Sequence, residues 1–555
     1  MLRRALALCA VLACSEAPGT DRPPSPVTLD ASVPTPPFRC TAEAEAPVPD
    51  GLTMGGIECI PVGARSPAAP EAWPDAAALA SFRAPVRYVS PTAPPGGDGS
   101  ATSRAFSTLA EALVSLRDGG GTVVLARGRH QVAQPIELRG AVALEGTGAL
   151  GGSDLVLVGS DWINVRDGAA RLHHVAVLRS GGAERPTAPS LQVSSGGSAS
   201  LEDVRLEGGG LGLLVDGGRV DALRVTIAVF AGDGVRVQGG GSASLVRAWV
   251  HHCNRGVVTE DGVAHVRESL LASNGTVGLL LRGRAPGNGA ASCTLEGPSR
   301  EPGPLQCLAR VALVGNTTVG LAVTGAPPGE SGPVVEARRL AIVDTRAWST
   351  PSGDGVLVVG RAELRVDPEA TTEGSRGLGT QVLGNARAGV LVTSGARLSL
   401  TGARVAFNGG PGVFVQDSAA ASRVSYNHLQ RNHGLAIGVT ATGAVGELVC
   451  NAILETIPAT LSTNLGAVPV GDGVSVSGAG LGSPETLVVR KNTVRSNPRF
   501  GMVFFGRYTL MLDQLPGTIT DNGYPIGVYG PTVRGVGYDP QAQPQRTPAV
   551  PRGGP

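Results

Sequence analysis

The chain has 555 residues and a formal net charge of +1, and its composition excludes several classes of protein. Glycine and proline are abundant, at 81 and 42 residues, whereas aromatic residues make up only 3% and charged residues 16%. So few large side chains cannot fill a wide globular core; they suit a narrow core of Val, Leu, Ala and Ile with many tight turns. No basic run stands out, so we predict no nucleic-acid partner.

The N-terminus has the pattern of an export signal. Two arginines precede a short apolar run, and Val11–Cys14 resembles a bacterial lipobox, in which the cysteine is lipidated. We predict a signal peptide over residues 1–13, a lipid anchor on Cys14 that would make the membrane a partner, and a Pro-rich tether over 14–38. The resemblance, with Ser15 after the cysteine, implies sorting to the outer membrane or cell surface. An ordinary signal peptide with a coincidental cysteine is the alternative.

Export permits disulfides. Cys40 and Cys59 bracket a Pro/Gly-rich part of a small linker segment (39–85), and we predict that they pair. Cys293 and Cys307 bracket a polar insertion and are predicted to pair as well. The remaining two cysteines of the mature chain, Cys253 and Cys450, lie in apolar repeats and are interpreted as buried small hydrophobic residues. No CxxC motif occurs, and we predict no metal and no cofactor.

A short helix is predicted over residues 108–118. Thr108-x-x-Glu111 is a capping box, and Leu109, Leu113 and Leu116 fall on one side of the helix that it opens. Three glycines end it. Its position predicts that it covers the first turn of the structure that follows, where an unpaired strand edge would otherwise be exposed.

Beyond the helix, a glycine followed by alternating apolar residues recurs along the chain. Gly212, Gly234, Gly256 and Gly278 begin four such motifs at a step of 22 residues. The motif returns at Gly320, Gly355, Gly389, Gly412, Gly434, Gly473, Gly501 and, weakly, Gly527. Period-2 alternation within a 22-residue period excludes a helical solenoid and predicts three short strands per coil of a parallel β-helix over residues 86–540, followed by a disordered tail over 541–555.

Asparagines keep a fixed distance from the repeat glycines. Asn274, Asn316, Asn385, Asn408 and Asn497 each lie four residues before one, and Asn254 and Asn432 lie two before. Asparagine tolerates tight corners, and stacked asparagines hydrogen-bond along a rod. We therefore predict a structural asparagine ladder rather than a ligand site.

The opening of the repeat region carries a family resemblance. Tyr88–Ser90, the turn Gly96–Gly99, the segment Ala105–Leu113 and the run Gly121–Gly128 together resemble the start of bacterial pectate-lyase-like β-helix proteins. The resemblance covers residues 86–537. It implies a right-handed parallel β-helix, an all-β fold, but it is weak for function, because that superfamily includes lyases, hydrolases, epimerases, adhesins and tailspikes.

Enzymes of this superfamily usually act on polysaccharides in a groove along one outer sheet, which places their chemistry at outward strand positions. In the glycine-motif strand, the second residue after the glycine points outward. Read down the rod, this row contains no carboxylate; it consists of Leu214, Arg236, Val258, Leu280, Ala322, Leu357, Leu391, Phe414, Ala436, Ser475, Val503 and Tyr529. A glycosidase needs two carboxylates, and a lyase usually needs a calcium-binding acid cluster and a base.

Weaker candidates lie nearby. His251-His252 precedes Glu260-Asp261, with His265 in the next coil, but neighbouring strand residues point to opposite faces unless the chain bends. Asp216 and Glu260 are predicted to lie two coils apart, near 9.6 Å along the rod, at the edge of the inverting-glycosidase range.

Two functions are compatible with these patterns. The first is a lipid-anchored envelope or surface protein with a non-catalytic recognition or structural role, its partner a polysaccharide or another surface protein. The second is an extracellular polysaccharide lyase or glycoside hydrolase. Its site would lie in loop insertions such as that between Cys293 and Cys307, which contains Glu296 and Glu301, or that over 443–472. The catalytic residues stay unassigned, and an outward cluster of acids, or of arginine with acids, would favour the enzyme.

Overall fold

The structure is a computed structural model of the chain. It describes residues 40, 44–49, 57–65, 73–74, 84–116, 119–148, 152–179, 188–283, 306–325, 332–348, 352–367, 379–416, 422–440, 445–463, 466–478, 486–514 and 517–534. The predicted signal peptide, Cys14 and its tether, Cys293, Glu296, Glu301 and the tail over 541–555 lie outside these residues.

The chain forms a right-handed parallel β-helix of three sheets, in which a complete coil contributes one strand to each sheet. Two long strands, Ile136–Glu145 and Ile163–His173, turn a corner and belong to both sheet I and sheet II. The other strands of sheet I, which contain the repeat motif, are Pro189–Ser194, Leu211–Asp216, Asp233–Gln238, Arg255–Glu260, Val277–Arg282, Val319–Thr324, Asp354–Val359, Val390–Thr393, Val413–Gln416, Leu435–Thr440, Asp472–Gly478, Phe500–Gly506 and Tyr524–Tyr529.

Sheets II and III complete each coil. The other strands of sheet II are Val86–Val89, Gly121–Leu125, Ser198–Glu202, Arg219–Leu223, Ser242–Val246, Val263–Arg267, Gln306–Ala309, Val334–Arg338, Glu363–Val366, Arg397–Thr401, Ser422–Ser425, Val445–Val449, Thr486–Arg490, Thr509–Asp513 and Thr532–Arg534. The strands of sheet III are Gly128–Val132, Ser153–Leu157, Val175–Arg179, Arg205–Gly209, Thr226–Phe230, Trp249–His251, Leu270–Ala272, Ala312–Val314, Ala341–Val343, Thr380–Leu383, Ala403–Ala406, His428–Gln430, Ala452–Leu454, Thr493–Arg495 and Ile519–Thr520.

The strand register follows the predicted repeat through most of the rod. Leu213 pairs with Val235 and Val235 with Val257, so coils 22 residues long lie directly on one another. The repeat glycine is required by this stacking: a Cβ atom on Gly256 would lie 2.3 Å from the carbonyl oxygen of Gly278 in the next coil. The larger steps occur where segments are inserted between strands.

Two predicted repeat positions are wrong. Val413 pairs with Ile437, so Ala436 takes the glycine position, and Gly434 lies in the preceding turn with φ +76°. Val503 pairs with Gly527, so the glycine position of the last coil belongs to Pro525. The first error arises because a glycine that serves a turn has the same letter as one that permits coil stacking. In the second, Gly527 lies inside the last strand, at the outward position.

The core is a narrow column of like residues, as the alternation predicts. The two apolar residues that flank each outward position point inward and have at most 1% of their surface exposed in the examples Val235, Val237, Val390, Val392, Val413 and Val415. Leu, Val and Ile from all three sheets form one continuous cluster along the rod. Burial of apolar surface between coils therefore supplies the stabilisation that no single coil could provide.

A helix, Leu109–Leu116, packs on the N-terminal coil. Its capping box is formed: the Thr108 N–H donates to Glu111 Oε2 at 3.0 Å, and the Glu111 N–H donates to Thr108 Oγ1 at 3.3 Å. Leu109 and Leu116 are buried as predicted, whereas Leu113 is only partly buried. Among the described residues, no helix is long and apolar enough to cross a membrane.

Two antiparallel hairpins lie outside the coils. The first, Glu45–Pro49 with Ile57–Pro61, is joined by a disulfide between Cys40 and Cys59 and packs its buried side on the outer face of sheet III. The second, Ala459–Thr463 with Gly466–Val470, belongs to an insertion and packs on the outer face of sheet I beside Phe414 and Leu435. The segment interpreted as a linker thus includes a covering element of the rod.

The other described cysteines differ in their bonding and in their burial. Cys307 is disulfide-bonded, and its predicted partner lies outside the described residues. Cys253 is buried and free, and burial raises the pKa of its thiol to about 12. Cys450 is free but only half-buried, because it lies at a corner with φ +55° rather than in the core.

Candidate functional site

The outer face of sheet I carries the row that was read from the glycine motif. The structure corrects two of its members: Gly438 replaces Ala436, and Gly527 replaces Tyr529. The row also begins earlier than the motif, at Glu137, Asn164 and Gln192. From Asn164 to Gly527, the described members of this row include no carboxylate.

Acidic residues do occur at the start of sheet I strands, but they are structural. Asp233 is 1% exposed and accepts hydrogen bonds from Arg255 of the next coil at 2.5 and 2.9 Å. Arg236, predicted to be exposed, is half-buried and also binds Asp233, at 2.7 Å. The same fork recurs between Asp472 and Arg499, at 2.7 and 2.5 Å, and between Asp354 and Arg387.

The carboxylate pair proposed from the sequence does not form a catalytic site. Asp216 and Glu260 lie two coils apart in register, as predicted, with Gln238 between them. However, Glu260 is occupied by an ion pair with Arg282.

The histidine candidates are also separated. Glu260 and Asp261 lie at the end of the strand Arg255–Glu260 opposite to His252, while His265 lies on sheet II. His252 has φ +53°, and this bend brings His251 Nδ1 within 2.8 Å of His252 Nδ1. Burial, with repulsion from His252 and Arg205, lowers the pKa of His251 to about 4.

Sheet II, which the motif reading did not consider, has a polar outer face. Its central outward row lies in register from the second coil onward and contains Ala143, Arg171, Ser200, Asp221, Ser244, His265, Cys307, Glu336, Arg365, Ser399, Arg423, Glu447, Val488 and Met511. This row could have been predicted from the sequence, because polar residues alternate with apolar ones in segments such as Ser198–Glu202. We call this surface the polar face.

Ion pairs cover much of the polar face. Arg219 lies 3.1 Å from Asp221, Arg365 lies 2.7 Å from Glu363, and Arg423 lies 2.9 Å from Glu447. In several pairs the arginine is the more exposed partner. The side chain of Arg365 is 40% exposed against 18% for Glu363, and that of Arg171 is 46% exposed against 4% for Glu145. A ligand approaching these positions therefore meets guanidinium groups first.

The densest part of the polar face is its N-terminal end. We define the corner cluster as Glu145, Arg171, His173, His174, Glu202, Asp203 and Arg224, which come from four successive coils and meet where sheet II turns into sheet III. His173 Nδ1 donates to Glu145 Oε2 at 2.8 Å, and Arg171 lies 3.7 Å from the same carboxylate.

Asp203 lies at the centre of the corner cluster. Arg224 donates to it from Nε at 2.9 Å and from Nη2 at 2.7 Å, and the Arg65 N–H donates at 3.0 Å. Burial by itself would raise the pKa of Asp203, but its contacts with His174, Arg224 and the Arg65 N–H outweigh burial and hold that pKa well below its usual range. Asp203 is therefore a permanent anion near neutral pH.

In sequence comparisons, the chain matches no protein-family model and no curated protein. Solved structures with a similar course of the chain include the pectate lyase Pel9A, with 11% identity, a TM-score of 0.32, and coverage of 66% of this chain and 79% of that chain. The catalytic domain of a GH87 α-1,3-glucanase has 9% identity and a TM-score of 0.30, with coverage of 85% and 70%. The A-module of a mannuronan C-5 epimerase from Azotobacter vinelandii has 14% identity and a TM-score of 0.24, with coverage of 82% and 98%.

The strand register by itself defines the class of fold. The chain is a right-handed parallel β-helix protein. The identities and TM-scores are too low for the chemistry of these enzymes to be transferred to this chain.

Proposed function

We propose that this protein binds an acidic polysaccharide along the polar face of sheet II and does not cleave it. The observation that carries the proposal is that Arg171, Arg365 and Arg423 on that face are more exposed than the carboxylates with which they pair. Guanidinium groups form planar, bidentate hydrogen bonds with carboxylates and other oxyanions. Coils repeat along the rod at about 4.8 Å, so the face offers a regular series of contacts to a polymer with a regular repeat.

The state of the carboxylates supports binding rather than cleavage. A glycosidase needs one carboxyl group free to donate a proton and a second free to act as base or nucleophile. On the described part of the polar face, Glu145, Asp221, Glu363 and Glu447 each lie in an ion pair with arginine. Because these carboxylates are paired, they hold the arginine side chains in position.

The test is a binding measurement on a panel of acidic and neutral polysaccharides. Arg365→Ala combined with Arg423→Ala should weaken binding of the acidic polymers several-fold, and added salt should weaken it further, because exposed charges are screened. The matched control is Gln192→Ala with Ser475→Ala on the outer row of sheet I, which should bind as the unmodified protein does. Equal binding by both variants would contradict the proposal.

Cleavage is the competing outcome. Release of unsaturated or reducing ends from any polymer, with or without calcium, would establish an enzyme. Glu296→Gln and Glu301→Gln in the insertion before Cys307 should then be made first, and loss of cleavage there would place the site in that insertion.

We propose further that Cys14 is lipidated and attaches the rod to the outer membrane or cell surface. The proposal rests on the lipobox-like sequence Val11–Cys14. Cys14→Ser should abolish labelling by a radioactive or clickable fatty acid. Persistence of the label in this variant, or its absence from the unmodified protein, would refute the anchor.

A further inference from the structure

Two adjacent histidines in the corner cluster point to the same side of the chain. His173 ends the strand Ile163–His173, and neighbouring residues of a strand normally point to opposite faces. His174, however, has φ +53° and turns the chain, so the two rings stack with their centroids 3.8 Å apart.

Asp203 completes the arrangement from the next coil. His174 Nε2 lies 3.6 Å from Asp203 Oδ2, which is too long for a hydrogen bond. Two ligand atoms that share a tetrahedral zinc ion at about 2.0–2.2 Å are themselves separated by roughly 3.4 Å, close to this distance. One ligand atom from each of His173, His174 and Asp203 lies within 4.8 Å of the others.

The groups around these three residues fit a metal site. Glu145 accepts the Nδ1 proton of His173, which orients the ring and leaves Nε2 as the ligating atom, as in carboxylate–histidine–metal arrangements. Arg224 and the Arg65 N–H use most of the roughly four acceptor positions of the Asp203 carboxylate. Oδ2, the oxygen nearest His174, accepts hydrogen bonds from Arg224 alone. The corner cluster holds three carboxylates against two guanidinium groups, so its charge favours a cation.

We propose that His173, His174 and Asp203 bind one divalent transition-metal ion of the zinc class, with Glu145 as the positioning residue for His173. Two imidazoles with one carboxylate suit zinc and its neighbours and disfavour calcium and magnesium. The His174 side chain is 34% exposed and that of Asp203 is 4% exposed, so the ion would be reached from the His174 side. The proposal does not depend on polysaccharide binding.

The test is a zinc titration of the chelator-treated full chain, produced without a polyhistidine tag and followed by calorimetry. We expect one equivalent to bind near pH 7.5. His173→Gln with His174→Gln should abolish this binding. Glu145→Gln should weaken it about 10–100-fold, the usual effect of removing a group that orients a metal-bound histidine.

The chain supplies a matched control. His251 and His252 are also adjacent at a corner, with φ +53° at His252, but they belong to no described group of three potential ligands. His251→Gln with His252→Gln should leave zinc binding unchanged. The absence of saturable binding by the unmodified protein, or loss in the control pair but not in His173→Gln with His174→Gln, would overturn the proposal. Should the double variant fold poorly, the half-exposed single change His174→Ala distinguishes the same outcomes.

Discussion

Residues with left-handed backbone conformation recur at the corners of the described coils. Among the described residues, 25 non-glycine residues have positive φ, and many of them lie at corners of the coil. This conformation costs roughly 1–2 kcal/mol per residue. Hydrogen bonds to the next coil offset the cost: the N–H of Arg224 donates to the carbonyl of Val246, and that of Arg310 donates to the carbonyl of Arg338.

One corner residue should make stability depend on pH. Asp367 is 8% exposed, and burial raises its pKa to about 6 despite hydrogen bonds from Thr380 and the Arg339 N–H. A raised pKa in an acid means that folding favours the protonated form. Stability from this group is therefore full below the unfolded pKa near 4, is lost as the pH rises from about 4 to 6, and stays lost above.

Asp367→Asn should remove this dependence, because the neutral amide can still accept the Arg339 N–H. We expect the variant to match the unmodified protein near pH 4 and to be more stable at pH 8, by up to roughly 3 kcal/mol. Denaturant unfolding at both pH values measures the difference. A variant that is less stable at pH 8 would show that the ionised carboxylate contributes to the fold.

At the scale of elements, buried amide side chains join successive coils along two corners. At the corner before sheet I, Asn274 donates to Asn316 at 2.9 Å, and Asn385, Asn408 and Asn432 form a second run with donor–acceptor distances of 2.8 Å. Asn432 takes part because the coil register is set by Ala436, whereas Asn254 is exposed. At the corner between sheets II and III, a ladder that the sequence reading missed contains Asn427, Asn451, Asn492 and Gln514.

Asn408→Ala tests the contribution of a ladder. Asn408 is fully buried; its Oδ1 accepts from both the N–H and the Nδ2 of Asn385, and its own Nδ2 donates to Asn432. Removal leaves buried donors unsatisfied, at about 1–3 kcal/mol each, so the unfolding midpoint should fall clearly. Asn254→Ala, at an exposed position, should change it little. Equal effects would mean that hydration replaces the lost bonds in the interior.

At the scale of the whole molecule, the three outer faces differ in what covers them. The disulfide-linked hairpin covers part of sheet III, where Leu270, Ala312, Ala341 and Leu383 form an apolar patch. Ala46 and Val48 of the hairpin pack on it with no exposed surface. No comparable hairpin covers the described part of sheet II, so the polar face stays exposed.

Val48→Asp should detach the hairpin without unfolding the coils. A carboxylate cannot be buried against the patch without a partner, so the apolar surface of sheet III would become exposed, and we expect increased binding of a hydrophobic dye and concentration-dependent association. Glu58→Gln, an exposed hairpin position, loses only the ion pair with Arg310 and serves as the control. Unchanged dye binding by Val48→Asp would show that the hairpin does not protect this face.

The sequence by itself determined the coil, the inward valine and leucine rows and the capping helix. These features depend on short-range patterns: alternation sets which side chain faces inward, and a capping box needs only four residues. Tertiary structure decided the rest. Insertions of unequal length shifted the register at Gly434 and Gly527, and coil stacking brought His174 to Asp203 across 29 positions of sequence. Which outward row was covered and which stayed exposed depended on where the Cys40–Cys59 hairpin packed, and a local pattern contains no information about that contact.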